Sequence, residues 1–251
     1  MNNHCNDKRI ITMRVDDTSV ESSTDLIMEW SAKNESKYVC VANVHMCMET
    51  YDDSEFREMV NNADLVVPDG KPLAVGLKML GCNNCQQVRG ADLTRMIFQQ
   101  ADMNNRVIGL YGGTPDAIKK ITEIISLEYP SIKVGCAISP PYRELSDDED
   151  AYFISVINKA QVDILLVGLG CPKQEKWMAM HKDRVEAVMV GVGAVFDFLS
   201  GTKKEAPHFL QVLGLEWLFR LLSEPGRLWK RYAVHNPRFI WYFSKQIIKG
   251  Q

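Results

Sequence analysis

The sequence predicts an α/β fold in which a parallel β-sheet is covered by helices on both faces and followed by a helical appendage rich in basic and aromatic residues. Three observations lead to this prediction. Strand-like runs with few polar positions alternate with amphipathic helical stretches through the first 206 residues, which is typical of a sheet buried on both faces. Several of these runs end in glycine-bearing turns. Beyond residue 206 the strand-like runs stop, while a helical period persists.

The first half of the chain is predicted to begin this alternation. The run KYVCVANVHM reads as a strand that enters a loop at Asn43, and SEFREMVNNA reads as a short helix with Phe56, Met59 and Val60 on one side. The segment DLVVPDG follows as a second strand that ends in a Pro-Asp-Gly turn. Asp69 lies in this turn, and therefore at the end of an apolar strand.

The second half of the chain repeats the pattern. The segments RVIGLYGG, KVGCAIS, VDILLVGLG and AVMVGVG are predicted strands, and TPDAIKKITEIISLEY, SDDEDAYFISVINKA and PKQEKWMAMHKD are predicted helices. Thr114 and Ser146 are predicted N-caps, with Pro115 at the first position of its helix. Because ligands in such folds bind at the carboxyl ends of the strands, we expect the functional site there.

Residues 207–251, called the tail below, are predicted to be a second unit after an α/β domain at residues 1–206. The 251-residue chain has a formal net charge of −3, yet from Arg220 onwards it carries seven Lys or Arg residues and one acid. Aromatic residues lie among these cations, a mixture typical of helices at a membrane interface. The alternative is an ordinary helix pair packed on the domain. The charge asymmetry favours an anionic partner for the tail.

Hydropathy predicts a protein at a membrane surface rather than across the membrane. The opening stretch MNNHCNDKRIITMRVDD lacks the apolar region that a secretory signal requires. No apolar run reaches the roughly 18 residues needed to span a bilayer. We therefore expect a cytoplasmic protein, and the resemblance described below implies that it associates peripherally with the inner face of the cell membrane.

Three glycine-bearing strand ends, YGGTPD, GLGCPK and GVGAVFD, are candidates for a phosphate site. Each brings backbone N–H groups and a helix N-terminus toward an anion. GLGCPK and GVGAVFD do not complete the GxGxxG fingerprint of a Rossmann-like dinucleotide site, because Lys173 and Phe196 stand where the third glycine belongs. A nucleotide or sugar-nucleotide site is one interpretation, and close helix–sheet packing is the other.

Asp69 is the candidate for acid–base chemistry. A carboxylate at this position can take a proton from an attacking hydroxyl, as a general base does in a displacement at a sugar carbon. Alternatively it caps the turn before Gly70. No Asp-x-Asp motif follows an apolar strand, so we expect a site without a metal ion. Four histidines show no ligand spacing and are expected to pack or to face solvent: His45, His181, His208 and His235.

Eight segments, in order along the chain, resemble those of one family, the bacterial WecG/TagA/CpsF glycosyltransferases (glycosyltransferase family 26). They are ADLVVPDG, VRGADL, LYGG, YPSIKVG, SPPYREL, DILLVGLGCPKQEKW, GVGAVFDFLSG and APHFLQVLGLEWLFRLLSEPGRLWKRY. The likeness covers most of the chain, and the longer pieces, such as GLGCPKQEKW and LGLEWLFRLLSEP, are highly specific.

The resemblance implies a function. Such enzymes transfer a sugar from a UDP-activated donor, commonly UDP-N-acetylmannosamine or its uronate, to an undecaprenyl-diphosphate-linked saccharide in teichoic acid or exopolysaccharide synthesis. The implied reaction inverts the anomeric configuration and needs no metal or other cofactor. We also expect association into homo-oligomers and no nucleic-acid partner.

The resemblance also implies roles for individual residues. Asp69 is similar to the catalytic base, Asn43 to an asparagine beside the active site, and Gln174 to a substrate-binding glutamine. Asp197 lies where the family builds its nucleotide pocket. Three arginines of the tail correspond to side chains that close over the site and help to neutralise the diphosphate: Arg220, Arg227 and Arg231.

Two positions depart from the family pattern. Val41 stands where N-acetylmannosamine transferases carry Thr, and Gln87 stands where they carry Arg, with Arg89 two residues later. Arg89 is therefore included among the substrate-binding candidates. A lost hydroxyl and a displaced cation change contacts with substrate rather than remove the base, and they leave the donor open among N-acetylmannosamine, its uronate and another UDP-linked sugar.

The sequence is also compatible with two other classes of function. An NAD(P)-dependent oxidoreductase would use the glycine turns, but a third glycine and a compelling acidic ribose partner about 20 residues further on are missing. A non-catalytic membrane-associated scaffold would keep the tail and would not need Asp69.

Overall fold

The computed structural model describes residues 8–250, which contain a six-stranded, fully parallel sheet. A short antiparallel hairpin of β1 (Arg9–Ile10) and β2 (Met13–Arg14) precedes it. The strands of the sheet are β3 (Lys37–Ala42), β4 (Leu65–Pro68), β5 (Val107–Gly112), β6 (Lys133–Ile138), β7 (Ile164–Gly168) and β8 (Val188–Gly191). They lie in the order β4-β3-β8-β7-β5-β6, so the predicted α/β fold class is confirmed.

Helices fill the connections between the strands and form the tail. Those before residue 207 are α1 (Val20–Ala32), α2 (Val44–Asp52), α3 (Ser54–Asn61), α4 (Lys71–Met79), α5 (Gly90–Met103), α6 (Pro115–Glu128), α7 (Asp147–Lys159), α8 (Lys173–His181) and α9 (Val195–Leu199). Those of the tail are α10 (His208–Val212), α11 (Glu216–Ser223) and α12 (Pro225–Lys249). Between residues 8 and 250, no helix combines the length and the apolar character that crossing a bilayer would require.

The sheet is covered on both faces because successive residues of a strand point to opposite sides. On one face, Cys40, Leu165 and Met189 pack with buried side chains from α2, α3, α4 and α8. On the other face, Val39 and Val190 pack with buried side chains from α1, α5 and α6. The two cavities described below lie at the carboxyl ends of the strands.

The segment KYVCVANVHM departs from its predicted form. Strand β3 ends at Ala42, and Asn43 is the N-cap of α2 rather than a loop residue, because its Oδ1 accepts hydrogen bonds from the backbone N–H groups of His45 (3.1 Å) and Met46 (3.3 Å). The loop predicted at Asn43 is therefore wrong. A buried strand and the start of a buried helix look alike over so few apolar residues.

Helix α12 holds the tail on the α/β domain. Phe239 and Phe243 are buried in the same core as α2. Near the end of the helix, Gln246 accepts a hydrogen bond from the backbone N–H of Ile11 (2.8 Å) and donates one to the carbonyl oxygen of Arg9 (2.7 Å). One side of α12 therefore behaves as an ordinary packed helix.

Candidate active site

Two neighbouring cavities open at the carboxyl ends of β3, β4, β7 and β8, beneath the tail. The polar cavity, of about 150 Å³, is lined by residues that follow these strands, among them Gly170, Gln174 and Gly193. The apolar cavity, of about 670 Å³, is lined largely by aromatic and aliphatic side chains of α11 and α12, including Trp217 and Ile240.

Five residues line both cavities and so mark the place where the two meet. They are Asn43, Asp69, Glu216, Arg220 and Arg231. Four of the eight site residues predicted from the sequence are in this set, and Arg89, Gln174 and Arg227 line the polar cavity alone. The fold therefore brings seven of the eight candidates to one place.

Asp69 follows β4 and is held by backbone groups on both sides. Its N–H donates to the carbonyl oxygen of Ala42 on β3 (2.8 Å), and its Oδ1 accepts a hydrogen bond from the N–H of Gly90 at the start of α5 (3.0 Å). Burial, reinforced by the nearby Glu216 carboxylate, raises the pKa of Asp69 to about 6. Such a carboxyl is ionised at neutral pH and is a stronger base than an exposed aspartate, which suits removal of a proton from a hydroxyl.

Asn43 and Arg231 connect the tail to the strand ends. The Oδ1 atom that caps α2 also accepts a hydrogen bond from Nη2 of Arg231 (3.1 Å). The Nε atom of Arg231 is buried and finds no hydrogen-bond partner among residues 8–250, and burial lowers the pKa of this guanidinium. A guanidinium stays charged in proteins, so a buried donor without a partner is well placed to receive an anion.

The other two predicted arginines of the tail reach the polar cavity as well. The Arg220 guanidinium lies 5.4 Å from the ring centre of Phe198, and its Nε is also without a partner in the described part of the chain. Arg227 makes two hydrogen bonds to the Glu224 carboxylate, at 2.7 and 2.9 Å. Three guanidinium groups therefore face one small cavity, which is a favourable environment for a diphosphate.

Arg89 also lines the polar cavity, but protein groups already occupy its donors. Its Nε donates to Glu216 (3.1 Å), and its Nη1 donates to Asp92 (3.2 Å) and to Gln211 (2.7 Å). In this arrangement Arg89 joins the start of α5 to α10 and α11. Its predicted role in substrate binding stays a prediction.

Gln174 lies at the start of α8 with its amide fixed on both sides. Its Oε1 accepts a hydrogen bond from the N–H of Gly170 (3.1 Å), and its Nε2 donates to Oε1 of Glu175 (2.7 Å). A Cβ atom at Gly191 would lie 2.9 Å from the same Nε2, so the end of β8 needs a glycine to let this amide approach. The polar tip of GLGCPKQEKW is thus built around Gln174.

Glu175 lines neither cavity but contacts the site through Gln174, and the sequence reasoning missed it. Its side chain is fully buried beside Gln174, and its Oε2 has no hydrogen-bond partner within residues 8–250. Burial raises the pKa of this carboxyl to about 7. The only sequence signal was an acid in the first turn of a helix that begins at a strand end, and such acids are usually exposed.

Asp197 is the predicted candidate that stands apart. Its carboxylate forms an ion pair with Lys203 at 2.6 Å, and it does not line either of the two cavities described above, although the neighbouring Phe198 lines the polar one. A direct role of Asp197 in nucleotide binding stays a prediction.

The three glycine turns divide into two groups. GLGCPK and GVGAVFD reach the polar cavity through Gly170 and Gly193. At the YGGTPD turn, by contrast, a Cβ at Gly113 would lie 3.1 Å from the Phe196 ring, and one at Gly112 would lie 2.6 Å from the backbone of Gly168 on the neighbouring strand β7. Close packing therefore explains the glycines of that corner.

The two departures from the family pattern lie beside the site. Nε2 of Gln87 donates to the backbone carbonyl oxygen of Asp69 (2.7 Å), so Gln87 supports the turn that carries the candidate base. Val41 lines the polar cavity with an apolar side chain.

The histidines pack or face solvent, as expected from the sequence, and two of them pack against each other. His45 on α2 and His235 on α12 both line the apolar cavity, and their ring centres are 4.9 Å apart. Burial and the Arg231 charge lower the pKa of His45 to about 3, so this ring is neutral. His181 is buried as expected, and its Nε2 lies 2.8 Å from Oδ2 of Asp150.

Comparison with known proteins shows which family the chain resembles. The model of the glycosyl transferase WecG/TagA/CpsF family matches residues 8–251. An N-acetylglucosaminyldiphosphoundecaprenol N-acetyl-β-D-mannosaminyltransferase of Bacillus spizizenii is 30% identical over 215 residues, which is 83% of this chain and 79% of that protein. A protein of the same name from Bacillus subtilis is 28% identical over 77% of this chain and 73% of that protein. One from Staphylococcus aureus strain MW2 is 25% identical over 94% of this chain and 91% of that protein.

The sequence left three function classes open: a glycosyltransferase, an oxidoreductase and a non-catalytic scaffold. Because the family match covers nearly the whole chain, it favours an enzyme that transfers a sugar. The glycine turns belong to that enzyme rather than to an oxidoreductase. The protein is a glycosyltransferase of the WecG/TagA/CpsF family.

Proposed function

We propose that this enzyme transfers N-acetylmannosamine, its uronate or another UDP-linked sugar to a saccharide carried on undecaprenyl diphosphate, with inversion at the anomeric carbon. The names of the similar bacterial proteins support the acceptor class and the sugar. The observation that carries the proposal is the position of Asp69 where a small polar cavity and a large apolar cavity meet.

The two cavities suit two chemically different substrates. The apolar cavity, at about 670 Å³, falls within the range of about 300–1,000 Å³ that small-molecule sites usually have, and its aromatic walls suit the first part of a lipid-linked acceptor. The polar cavity, with glycine N–H groups and arginines, suits the sugar and diphosphate of a nucleotide donor.

The reaction is a single displacement. Asp69 removes the proton from the acceptor hydroxyl while the oxygen attacks the anomeric carbon from the side opposite the leaving nucleotide. Negative charge then develops on the diphosphate, and the unpaired donors of Arg220 and Arg231 are placed to stabilise it. We propose that this transfer needs no metal ion, because three arginines line the cavity that we assign to the diphosphate.

Entry of the donor requires the tail to move. The polar cavity of about 150 Å³ is smaller than a typical ligand site, and side chains of α11 and α12 form part of its wall. We propose that the tail opens to admit the donor and closes to place its arginines on the diphosphate.

The experiment is a transfer assay with a short-chain lipid-diphosphate saccharide as acceptor and a panel of UDP-sugars, run with and without a chelator. We expect one UDP-sugar to be transferred, with an unchanged rate in chelator, and the anomeric configuration of the product, read by NMR, to be opposite to that of the donor. A retained configuration would contradict the single displacement, and dependence on added metal would contradict the metal-free step.

A further inference from the structure

A cluster of potential metal ligands lies in the wall of the apolar cavity, and none of its side chains has a chemical role in the proposed displacement. His45 and Glu49 are four residues apart on α2, and His235 faces them from α12. Nδ1 of His45 lies 3.5 Å from Oε1 of Glu49, and Nε2 of His235 lies 3.8 Å from the same oxygen. One ligand atom from each of the three side chains lies within 4.8 Å of the other two.

The two imidazoles are not satisfied by the protein. Nδ1 of His45 and Nδ1 of His235 are both buried, and neither finds a hydrogen-bond partner in the described part of the chain. Buried polar atoms without partners are costly and uncommon in folded proteins. Nδ1 of His45 is the nitrogen that faces Glu49, so it calls for a further group that it can bind. His235 faces Glu49 through Nε2, so its buried Nδ1 would not bind the same ion.

We propose that His45, Glu49 and His235 bind a divalent transition-metal ion, with zinc as the best fit, and that this ion fastens α12 to α2. Two imidazoles and one carboxylate are a ligand set that zinc accepts, with water in the fourth position. Ligand atoms about 2.1 Å from a tetrahedral ion are about 3.4 Å apart, close to the 3.5 and 3.8 Å found here. Magnesium and calcium prefer oxygen ligands alone.

The charges around the cluster affect the strength of binding. The Arg231 guanidinium is near enough to lower the pKa of His45, and it therefore also repels a dication. The Glu49 carboxylate offsets this repulsion within the cluster. We expect weaker binding than at a site closed by four protein ligands.

The position of the cluster gives the ion a structural effect. Helix α12 carries Arg231 four residues before His235, so an ion that fixes His235 against α2 also fixes the arginine that contacts Asn43. The ion would hold the tail in its closed position without touching the reacting atoms.

The test measures metal binding directly. Full-length protein is stripped with a chelator, dialysed and titrated with Co²⁺, whose visible absorption reports tetrahedral coordination, and then with Zn²⁺ as a competitor. We expect one equivalent to bind to the wild type, and His45→Gln, Glu49→Gln and His235→Gln each to weaken binding at least tenfold. His208→Gln is the matched control, because His208 is exposed and lies outside the cluster.

The outcomes separate this site from other metal-binding groups. No uptake by the wild type, or uptake that the three cluster variants leave unchanged, overturns the proposal and assigns any bound metal to thiols or other histidines. Zn²⁺ should also raise the thermal midpoint of the wild type and protect the tail from proteolysis. If a histidine variant does not fold, the proposal is tested by metal binding to Glu49→Gln and by the thermal midpoint and proteolysis of the wild type with Zn²⁺. Transfer activity is not the readout, so the result is independent of the proposed function.

Discussion

At the scale of single residues, the account depends on the environment of Asp69. The carboxyl group is buried enough to be a stronger base than a free aspartate, yet it lies at the junction of both cavities, where a hydroxyl can reach it. The Gly90 N–H and two arginines oppose the effect of burial, so the group is still ionised at neutral pH. A general base is most effective when its pKa lies near the working pH.

This environment predicts the pH dependence of transfer. Asp69 acts in its ionised form, so kcat/KM should rise about tenfold per unit below pH 6 and level off above it. Glu216→Gln removes a negative charge that raises the pKa of Asp69, so the inflection should move to lower pH. Initial rates measured across pH 4.5 to 8 check both expectations.

Glu205→Gln is the matched control, since Glu205 also lies near the Arg89 guanidinium (3.6 Å) but is not among the groups that shift the pKa of Asp69. The inflection in the pH dependence of kcat/KM of Glu205→Gln should stay at the wild-type pH. An inflection that fails to move in Glu216→Gln would show that another group limits the rate.

Glu175 is expected to act as a positioning residue for Gln174. Glu175→Leu removes the acceptor of the Gln174 amide, and the loss of such a hydrogen bond, worth about 1.5 kcal/mol or more, should raise the donor KM at least about tenfold. Glu175→Gln keeps an oxygen in the same place and should restore most of the affinity. Steady-state kinetics that separate KM from kcat check this. A donor KM in Glu175→Leu equal to that of the wild type would show that Glu175 does not position Gln174.

At this scale the sequence predicted residue types better than their contacts. Asp69 was identified from its place at the end of an apolar strand as well as from a family motif. Asn43, Gln174 and the arginines of the tail were identified because they match family motifs. The hydrogen bond from Arg231 to Asn43 joins residues 188 positions apart, and no local pattern indicates such a pair. The same holds for Arg89 and Glu216, which are 127 positions apart.

At the scale of elements, α12 has two faces with different tasks. Phe239 and Phe243 are buried against the α/β domain, whereas Trp241 and Ile240 are exposed on the other side. The helix therefore stabilises the fold and offers an apolar surface at the same time. The alternative of an ordinary packed helix describes the buried side of α12, and the membrane-surface prediction for its exposed side stays a prediction.

Truncation of Phe239 should destabilise the whole protein. Phe239→Ala leaves a cavity in the core shared with α2, and we expect it to lower the free energy of unfolding by about 3–5 kcal/mol. Trp241→Ala is the matched control two residues away; its side chain is 60% exposed, so the change should be within about 0.5 kcal/mol. Denaturant unfolding of both variants measures the difference, and equal stabilities would mean that α12 does not dock as described.

The strands were easier to predict than the helices of the first hundred residues. All six sheet strands are apolar runs closed by turn residues, and each was identified. Helices α1, α2, α4 and α5 were not identified. In α1, three of the four buried residues are Ser or Thr, so its buried face lacks the apolar period that indicates a helix. Helix α5 does present an apolar face, formed by Leu93, Ile97 and Phe98, and the sequence reasoning missed it.

At the scale of the whole molecule, the apolar surface is concentrated on the tail. Exposed large hydrophobic side chains of the tail include Phe209, Leu213, Leu222, Trp229 and Trp241. Lys230 and Lys245 lie beside the last two rings, so cations and aromatic groups face solvent together. We propose that this surface binds anionic lipid and presents the apolar cavity to a lipid-linked acceptor.

Substitution tests this surface better than deletion, because removing α12 would also remove core residues. The double variant Trp229→Ser/Trp241→Ser should lower binding to anionic liposomes at least about tenfold while leaving the fold intact. Met103→Ser/Leu127→Ser is the matched control, with two exposed side chains outside the tail. Flotation with liposomes reports both variants, and equal binding would place the lipid contact elsewhere.

The central claim is that Asp69 removes the acceptor proton, and Asp69→Asn tests it most directly. The amide keeps the size of the side chain and an oxygen that can accept from Gly90, so the fold and the donor site should be preserved. In single-turnover transfer with saturating donor and acceptor, the account predicts a rate lower by about 10²–10⁴-fold, with donor affinity close to wild type. A folded Asp69→Asn enzyme that transfers sugar at the wild-type rate would contradict it.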